Sequence, residues 1–220
     1  MMKKDDILLS EYSVAVIGCG GLGCNASVHL AGMGIKKMLL IDFDVTEKSN
    51  LNRQFFYSED NIGESKCKNA AAFLKNYQRD GDYKYQNLKI KSEEDLSCCD
   101  GYDIILCCTD NAETRLIINE YCIKKSIPCV NGAIDGNFGT AYLFVPKKSP
   151  CLYCAGLTQK TKKAISISSV AGIIGALEAS LATEYLKDKN TNKCGQLYVQ
   201  DELSITNLPI KHLKACPFCK

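Results

Sequence analysis

The sequence has no excess of either charge: Lys and Arg total 27 and Asp and Glu total 25 in 220 residues. That balance gives no reason to expect a nucleic-acid or membrane-surface partner. No apolar run is long enough to span a bilayer, and the charged start Met1-Met2-Lys3-Lys4-Asp5-Asp6 lacks the apolar stretch of a secretory leader. A cytoplasmic protein is expected. Internal repeats and low-complexity segments are absent too. The length suits one domain with a sizeable core, here taken as residues 13–220 after a lead-in strand or arm at 1–12. Cysteine, by contrast, is plentiful, at 14. In a reducing compartment these are expected to be thiols or metal ligands rather than disulfides.

The first strong pattern is Val14-Ala15-Val16-Ile17-Gly18-Cys19-Gly20-Gly21-Leu22-Gly23. An apolar run feeds a glycine turn, and a helical pattern follows to about Gly32. Such a turn lets a phosphate approach backbone N–H groups at the positive end of a helix. A second run, Met38-Leu39-Leu40-Ile41, ends at Asp42, about 20 residues on, where an acidic side chain commonly meets a ribose hydroxyl. Gly18, Gly20, Gly21, Gly23 and Asp42 are therefore candidate nucleotide contacts. Glycines alone do not separate NAD from ATP, and an NAD-dependent oxidoreductase stays open at this point.

Residues 43–62 show no clean period and form a long connection, a common place for function. Residues 64–79 read as a helix from the apolar stripe Cys67, Ala70, Ala71, Leu74 and Tyr77. A strand is expected over 83–90. Tyr102 to Asp110 reads as a buried parallel strand ending in Thr109-Asp110-Asn111, with a helix over 112–124. Strands follow at 128–131 and 139–145, a basic stretch at 159–163, a long helix over 168–186, and two short strands at 196–200 and 203–208. Ligands collect at the carboxyl ends of parallel strands, and the glycine turn, Asp42 and Asp110 all fall at such ends.

Cys151-Leu152-Tyr153-Cys154 and Cys216-Pro217-Phe218-Cys219 are two CxxC units with residues 155–215 between them. Two such units supply the four thiolates of a tetrahedral zinc site, with no position left for substrate. A structural zinc held by Cys151, Cys154, Cys216 and Cys219 is expected. The other cysteines, among them Cys19, Cys24, Cys107 and Cys108, read as small buried hydrophobes.

From about Val14 to Cys219 the chain resembles the ThiF/MoeB/HesA adenylyltransferases, relatives of ubiquitin-activating enzymes. The resemblance rests on Gly18-x-Gly20-Gly21-x-Gly23, Asp42-Phe43-Asp44, Ser49-Asn50-Leu51-Asn52-Arg53-Gln54, Gly63-x-x-Lys66, Cys108-Thr109-Asp110-Asn111-x-x-x-Arg115 and both CxxC pairs. It implies an α/β, Rossmann-like nucleotide-binding domain: a mainly parallel central sheet, a long C-terminal helix, late short strands and a zinc-clipped C-terminus. It also implies ATP-dependent adenylation of the C-terminal glycine of a small ubiquitin-like sulfur-carrier protein ending in Gly-Gly. Such chemistry would feed thiamine, molybdopterin or another thiolated product. Arg53 and Lys66 are placed by the resemblance on the phosphates, Asp110 on magnesium, Asp42 on the ribose, and Asn50, Gln54 and Asn111 around the nucleotide. For Asn111 and Arg115 the alternative is capping and decorating a helix. A homodimer and a separate sulfurtransferase are further implications.

The chain departs from the family pattern twice. About a dozen residues precede the first strand, with Lys3 and Lys4 the cations available there, where relatives carry an arginine that reaches across a dimer. And no cysteine lies between Cys154 and Cys194, where several relatives carry one that joins the carrier covalently. The expectation is adenylation without an enzyme thioester. An inactive nucleotide-binding scaffold is the competing reading.

Overall fold

A computed structural model of the chain describes residues 9–159 and 166–219. Lys3, Lys4 and most of the basic stretch at 159–163 lie outside the described residues. The frame is set by strand β1, Ser13–Ile17, whose Val14, Ala15 and Val16 have no exposed surface. A strand this apolar on both faces needs cover on both sides, which is what a parallel sheet between helical layers provides. The glycine turn leads to helix α1, Gly21–Gly32, and back to β2, Lys37–Asp42. After a long connection come α2, Lys66–Tyr77, β3, Asp82–Asn87, β4, Ile104–Cys107, and α3, Ala112–Lys125. The hairpin β5, Cys129–Asp135, and β6, Phe138–Phe144, precedes the long helix α4, Ser168–Lys187, and a second hairpin of β7, Gln196–Asp201, and β8, Ser204–Pro209.

The eight strands form one sheet in the order β3-β2-β1-β4-β5-β6-β7-β8. The pairings from β3 to β5 are parallel and those from β5 to β8 antiparallel. The order reverses around β1, so a crevice opens between the ends of β1 and β4. Register aligns the two sides of that crevice: Ile17 of β1 lies opposite Ile41 of β2 and Cys107 of β4. One residue beyond this row stand Gly18, Asp42 and Cys108.

One face of the sheet buries Val16, Leu40, Leu106 and Val130 against Leu30 of α1, Leu74 of α2 and Ile174 and Leu181 of α4. The other buries Ile17, Ile41 and Ile105 against Ile118, Tyr121 and Cys122 of α3, and continues to Cys151 and Cys216. Helices α1 and α4 cross so closely that a Cβ on Gly175 would fall 2.5 Å from Cβ of Asn25.

Most sequence expectations fall within a few residues of these elements. The strand expected at 83–90 stops at Asn87, because Glu93–Cys99 forms a short helical turn capped by Ser92 and Asp95. The strand expected at 128–131 runs on to Asp135, because β6 folds back on it and supplies a hydrogen-bonding edge along its whole length. The lead-in is a short helical turn at Leu9–Glu11 where it is described, rather than a strand.

Candidate active site

The glycine turn is shaped by contacts that exclude side chains. Gly18 has φ of +99°, and a Cβ there would lie 2.7 Å from the Cys108 carbonyl oxygen. The turn therefore rests directly on the end of β4. Gly20 caps α1 without any side-chain hydrogen bond, so the first N–H groups of the helix face the crevice uncovered by a side chain. Gly18, Gly20 and Gly21 line the crevice. Gly23 does not: a Cβ there would sit 1.9 Å from the Gly18 carbonyl oxygen, so its smallness lets the helix close on the strand.

Asp42 closes the turn from the side of β2. Its Oδ2 accepts from the Cys19 backbone N–H at 2.6 Å and its Oδ1 from that of Asp44 at 2.8 Å. Burial raises its pKa, and the two N–H groups pull it back. Each carboxylate oxygen has a second acceptor site for a sugar hydroxyl.

The connection after β2 brings the cations. Asn50 is buried and accepts from the Glu47 N–H at 3.2 Å, so its side chain organises the loop. Arg53 donates through Nη1 to the Ser49 carbonyl at 3.1 Å and to Asn52 Oδ1 at 2.8 Å. Its stem lies along the turn, with Cγ 3.4 Å from where a Gly21 Cβ would be. Gln54 is buried, and its Oε1 has no hydrogen bond among the described residues. Lys66 opens α2, only 6% exposed, with Nζ 3.2 Å from Asp44 Oδ2. The Tyr57 hydroxyl lies 2.7 Å from the Cys19 carbonyl oxygen and 3.2 Å from that of Lys66, tying the glycine turn to the start of α2.

From the far side, Asp110 stands exposed just beyond β4. Asn111 is the N-cap of α3 and accepts from the Thr114 N–H at 2.9 Å. Arg115 is buried, donating through Nε to the Thr109 carbonyl at 3.0 Å and through Nη1 to that of Leu157 at 3.4 Å. Both thus serve the backbone around Asp110, and both also line the crevice.

Together these residues bound a cleft of about 490 Å³. Gly18, Gly20, Gly21, Asp42, Asn50, Arg53, Gln54, Lys66, Asp110 and Asn111 all line it. Beyond the β2 end, the Lys89 ammonium sits 4.8 Å above the Phe43 ring. The opposite rim comes from the β5–β6 hairpin, through Ala133, Ile134 and Phe138. The arrangement brings backbone donors, two cations and the Asp110 carboxylate to one cleft, a set suited to a polyphosphate with its metal ion.

One buried acid was not anticipated. Glu178 of α4 has no exposed surface, and its Oε1 accepts from the Cys108 thiol at 3.4 Å. Burial pushes its pKa up to about 8, although the Cys108 thiol, Arg115 and the Gly132 backbone oppose the rise. Its position, four residues after Ile174 and three before Leu181, falls on the apolar stripe of the helix, and that spacing was the available clue.

At the opposite side of the sheet the four CxxC cysteines meet. Their sulfurs all lie within 4.8 Å of one another. The Cys151–Cys216, Cys154–Cys219 and Cys216–Cys219 separations are 3.7, 3.5 and 3.6 Å. Tetrahedral zinc with bonds of about 2.3 Å requires sulfurs roughly 3.8 Å apart, so the quartet fits that ion. His212 Nδ1 stands 3.5 Å from Cys219. Cys194 belongs to neither site: it is half-buried in the turn before β7, with its thiol toward the Thr191 carbonyl at 3.5 Å.

Comparison with known proteins agrees with this geometry. Residues 3–218 match the ThiF family. The chain is 28% identical over 226 residues to an adenylyltransferase and sulfurtransferase MOCS3 of Culex quinquefasciatus, covering 98% of this chain and 52% of that protein. It is 30% identical over 220 residues to the SAMP-activating enzyme E1 of Haloferax volcanii, covering 96% and 81%. Among solved structures, the E. coli MccB crystal structure with ATP matches at a TM-score of 0.86 and 25% identity, covering 96% of this chain and 67% of that one. The chain thus spans about half the length of several curated relatives it matches.

Proposed function

The chain belongs to the ThiF family, and from that premise we propose that it adenylates the C-terminal glycine carboxylate of a small ubiquitin-like sulfur-carrier protein, using ATP and releasing pyrophosphate. The observation that carries this reading is the convergence of the glycine turn, Arg53, Lys66 and Asp110 on a single cleft. An oxidoreductase needs no such pair of cations together with a carboxylate in its cleft. In the proposed reaction the carrier carboxylate attacks the α-phosphate, and the bond to the bridging oxygen of the leaving pyrophosphate breaks. Negative charge grows on the phosphate oxygens, so donors already in place lower the barrier.

Each group has a part in that scheme. The N-terminal N–H groups of α1 and the Arg53 fork receive phosphate oxygens, and Lys66 adds a point charge. Both cations rest on nearby protein oxygens, and moving onto the phosphates exchanges those partners for charged ones. Asp42 takes the ribose, and Gln54 offers its buried oxygen to the nucleotide. Asp110 would hold magnesium, which neutralises charge on the phosphates and leaving group. The cysteine quartet would hold zinc in a structural role, clipping the chain end onto the sheet. Among the described residues Cys108 is the one cysteine lining the cleft, and its thiol is buried with its pKa pushed well up, so the scheme ends at the acyl-adenylate. Sulfur transfer would fall to a separate enzyme, and the active form would be a homodimer.

The test is ATP–pyrophosphate exchange with candidate β-grasp carriers ending in Gly-Gly. Exchange that requires both magnesium and one such carrier supports the proposal. Nucleotide binding without exchange for any carrier would point instead to an inactive scaffold.

A further inference from the structure

Glu178 is the one fully buried carboxylate among the described residues, and nothing in the scheme above uses it. Its setting is specific. A Cβ on Gly132 would fall 2.4 Å from the Glu178 carboxyl group, so β5 is kept bare at this point to admit it. On its other side, Oε1 takes the hydrogen of the Cys108 thiol at 3.4 Å. Cys108 also carries the carbonyl against which Gly18 is packed. A single residue thus separates the carboxyl group from the glycine turn.

We infer that Glu178 is a positioning residue for the nucleotide: it holds the ends of β4 and β5 together beneath the glycine turn, and it does so as a neutral acid, so that no fixed negative charge lies behind the phosphates. The inference rests on the reading that the cleft binds a nucleoside polyphosphate. An ionised carboxylate in that position would repel the anionic ligand through a poorly screened interior.

The groups facing Glu178 are few. Cys108, just past β4, faces it with a thiol whose pKa is pushed well above the ordinary range and hence neutral, while Cys107 of β4 and Cys129 of β5, likewise raised, point to the other face of the sheet. Arg115 of α3 is the one cation that pulls Glu178 down. Strand β6, also packed on α4, carries no charged residue; α1 carries Cys24, its thiol pushed up to about 12 by burial, and His29 in its last turn, and the turn at Leu9–Glu11 carries Glu11. Because Glu178 ionises as pH rises through about 8, nucleotide binding is expected to weaken across that range. By reciprocity, binding near pH 8 takes up a proton.

The experiment measures ADP affinity by calorimetry, with no divalent cation added, at pH 7 and pH 9 for the wild type and Glu178→Gln. The wild-type dissociation constant is expected to rise roughly fivefold to tenfold between the two pH values, and that of Glu178→Gln to change less than about twofold. At pH 8, wild-type binding measured in two buffers of different ionisation heat should show proton uptake that Glu178→Gln lacks. The same weakening in both proteins, or a wild type that is flat with pH and takes up no proton, overturns the inference and leaves nucleotide binding intact. Absence of ADP binding to the wild type overturns the nucleotide reading and this inference with it. Should Glu178→Gln fail to fold, the wild-type affinity profile and proton uptake decide by themselves.

Discussion

Lys66 and Arg53 rest on Asp44, Ser49 and Asn52 at the wall of the cleft, all partners from the same stretch of chain. The four cysteines across the sheet have partners 65 positions away and face one another. The cleft lies where parallel strands end and the backbone must turn, so its polar groups are local, partly exposed and free to change partners. The quartet lies where the antiparallel extension returns to the body, and a metal there would leave no ligand position open. The first arrangement suits a substrate that comes and goes. The second suits an ion that stays and contributes to folding. Changes in the cleft should therefore cost activity with little stability, and changes in the quartet the reverse.

The sharpest test of that contrast is Asp110→Ala. The side chain is exposed just past β4, so its loss should leave the melting temperature within about 2 °C of wild type. Magnesium-dependent exchange should fall by roughly a hundredfold or more, the scale of removing a group that stabilises transition-state charge. Near-wild-type exchange in a folded Asp110→Ala protein would contradict the role assigned to this carboxylate.

Cys216→Ser or Cys219→Ser should show the opposite profile. Zinc content measured by atomic spectroscopy should fall from near one equivalent to a small fraction. The melting temperature should drop on the order of 5–10 °C, because the ion's binding free energy is part of folding. Exchange at room temperature should suffer less than in Asp110→Ala. Unchanged metal content together with an unchanged melting curve would remove the quartet as a structural site.

Much of this comparison was legible in the chain. Gly18, Asp42 and Asp110 could be placed at strand ends because each follows a run that only a buried parallel strand explains. Arg53 and Lys66 were legible only as parts of a family pattern, since an irregular loop has no periodicity to reveal which side chains turn inward. Gly23 shows the limit of pattern reading: it shares the glycine motif, yet its bare Cα serves helix packing, a distinction that depends on a 1.9 Å approach no spacing reveals. Asn50 and Asn111 likewise hold backbone N–H groups of their own loops. Glu178 was overlooked because a carboxylate in a helix is usually a solvated one. Its burial follows from the missing side chain at Gly132, a residue 46 positions earlier. The β5–β6 hairpin is hidden for a related reason: its turn, Gly136-Asn137, joins strands whose pairing depends on residues up to 15 positions apart, from Asp135 with Phe138 to Cys129 with Phe144.

The smallest expected effect belongs to Cys194. It is the cysteine that ends the cysteine-free segment 155–193, and a neighbouring lysine, Lys193, offers one way to make a thiol reactive. The structure sets it in the turn before β7, half-buried against the core, with its thiol directed to the Thr191 carbonyl. It lines no part of the cleft. Acyl-adenylate formation needs no protein nucleophile, because the carrier carboxylate itself attacks and the enzyme supplies position and charge. Cys194→Ala should therefore retain exchange within about twofold and lose less than about 1 kcal/mol of stability, as expected for shortening a half-buried side chain by one atom. Mass spectrometry of enzyme, magnesium-ATP and carrier under non-reducing conditions should show carrier-adenylate and no enzyme–carrier adduct. A reductant-sensitive adduct present with the wild type and missing with Cys194→Ala would give the turn before β7 a catalytic part, and the division between a reactive cleft and structural cysteines would no longer hold.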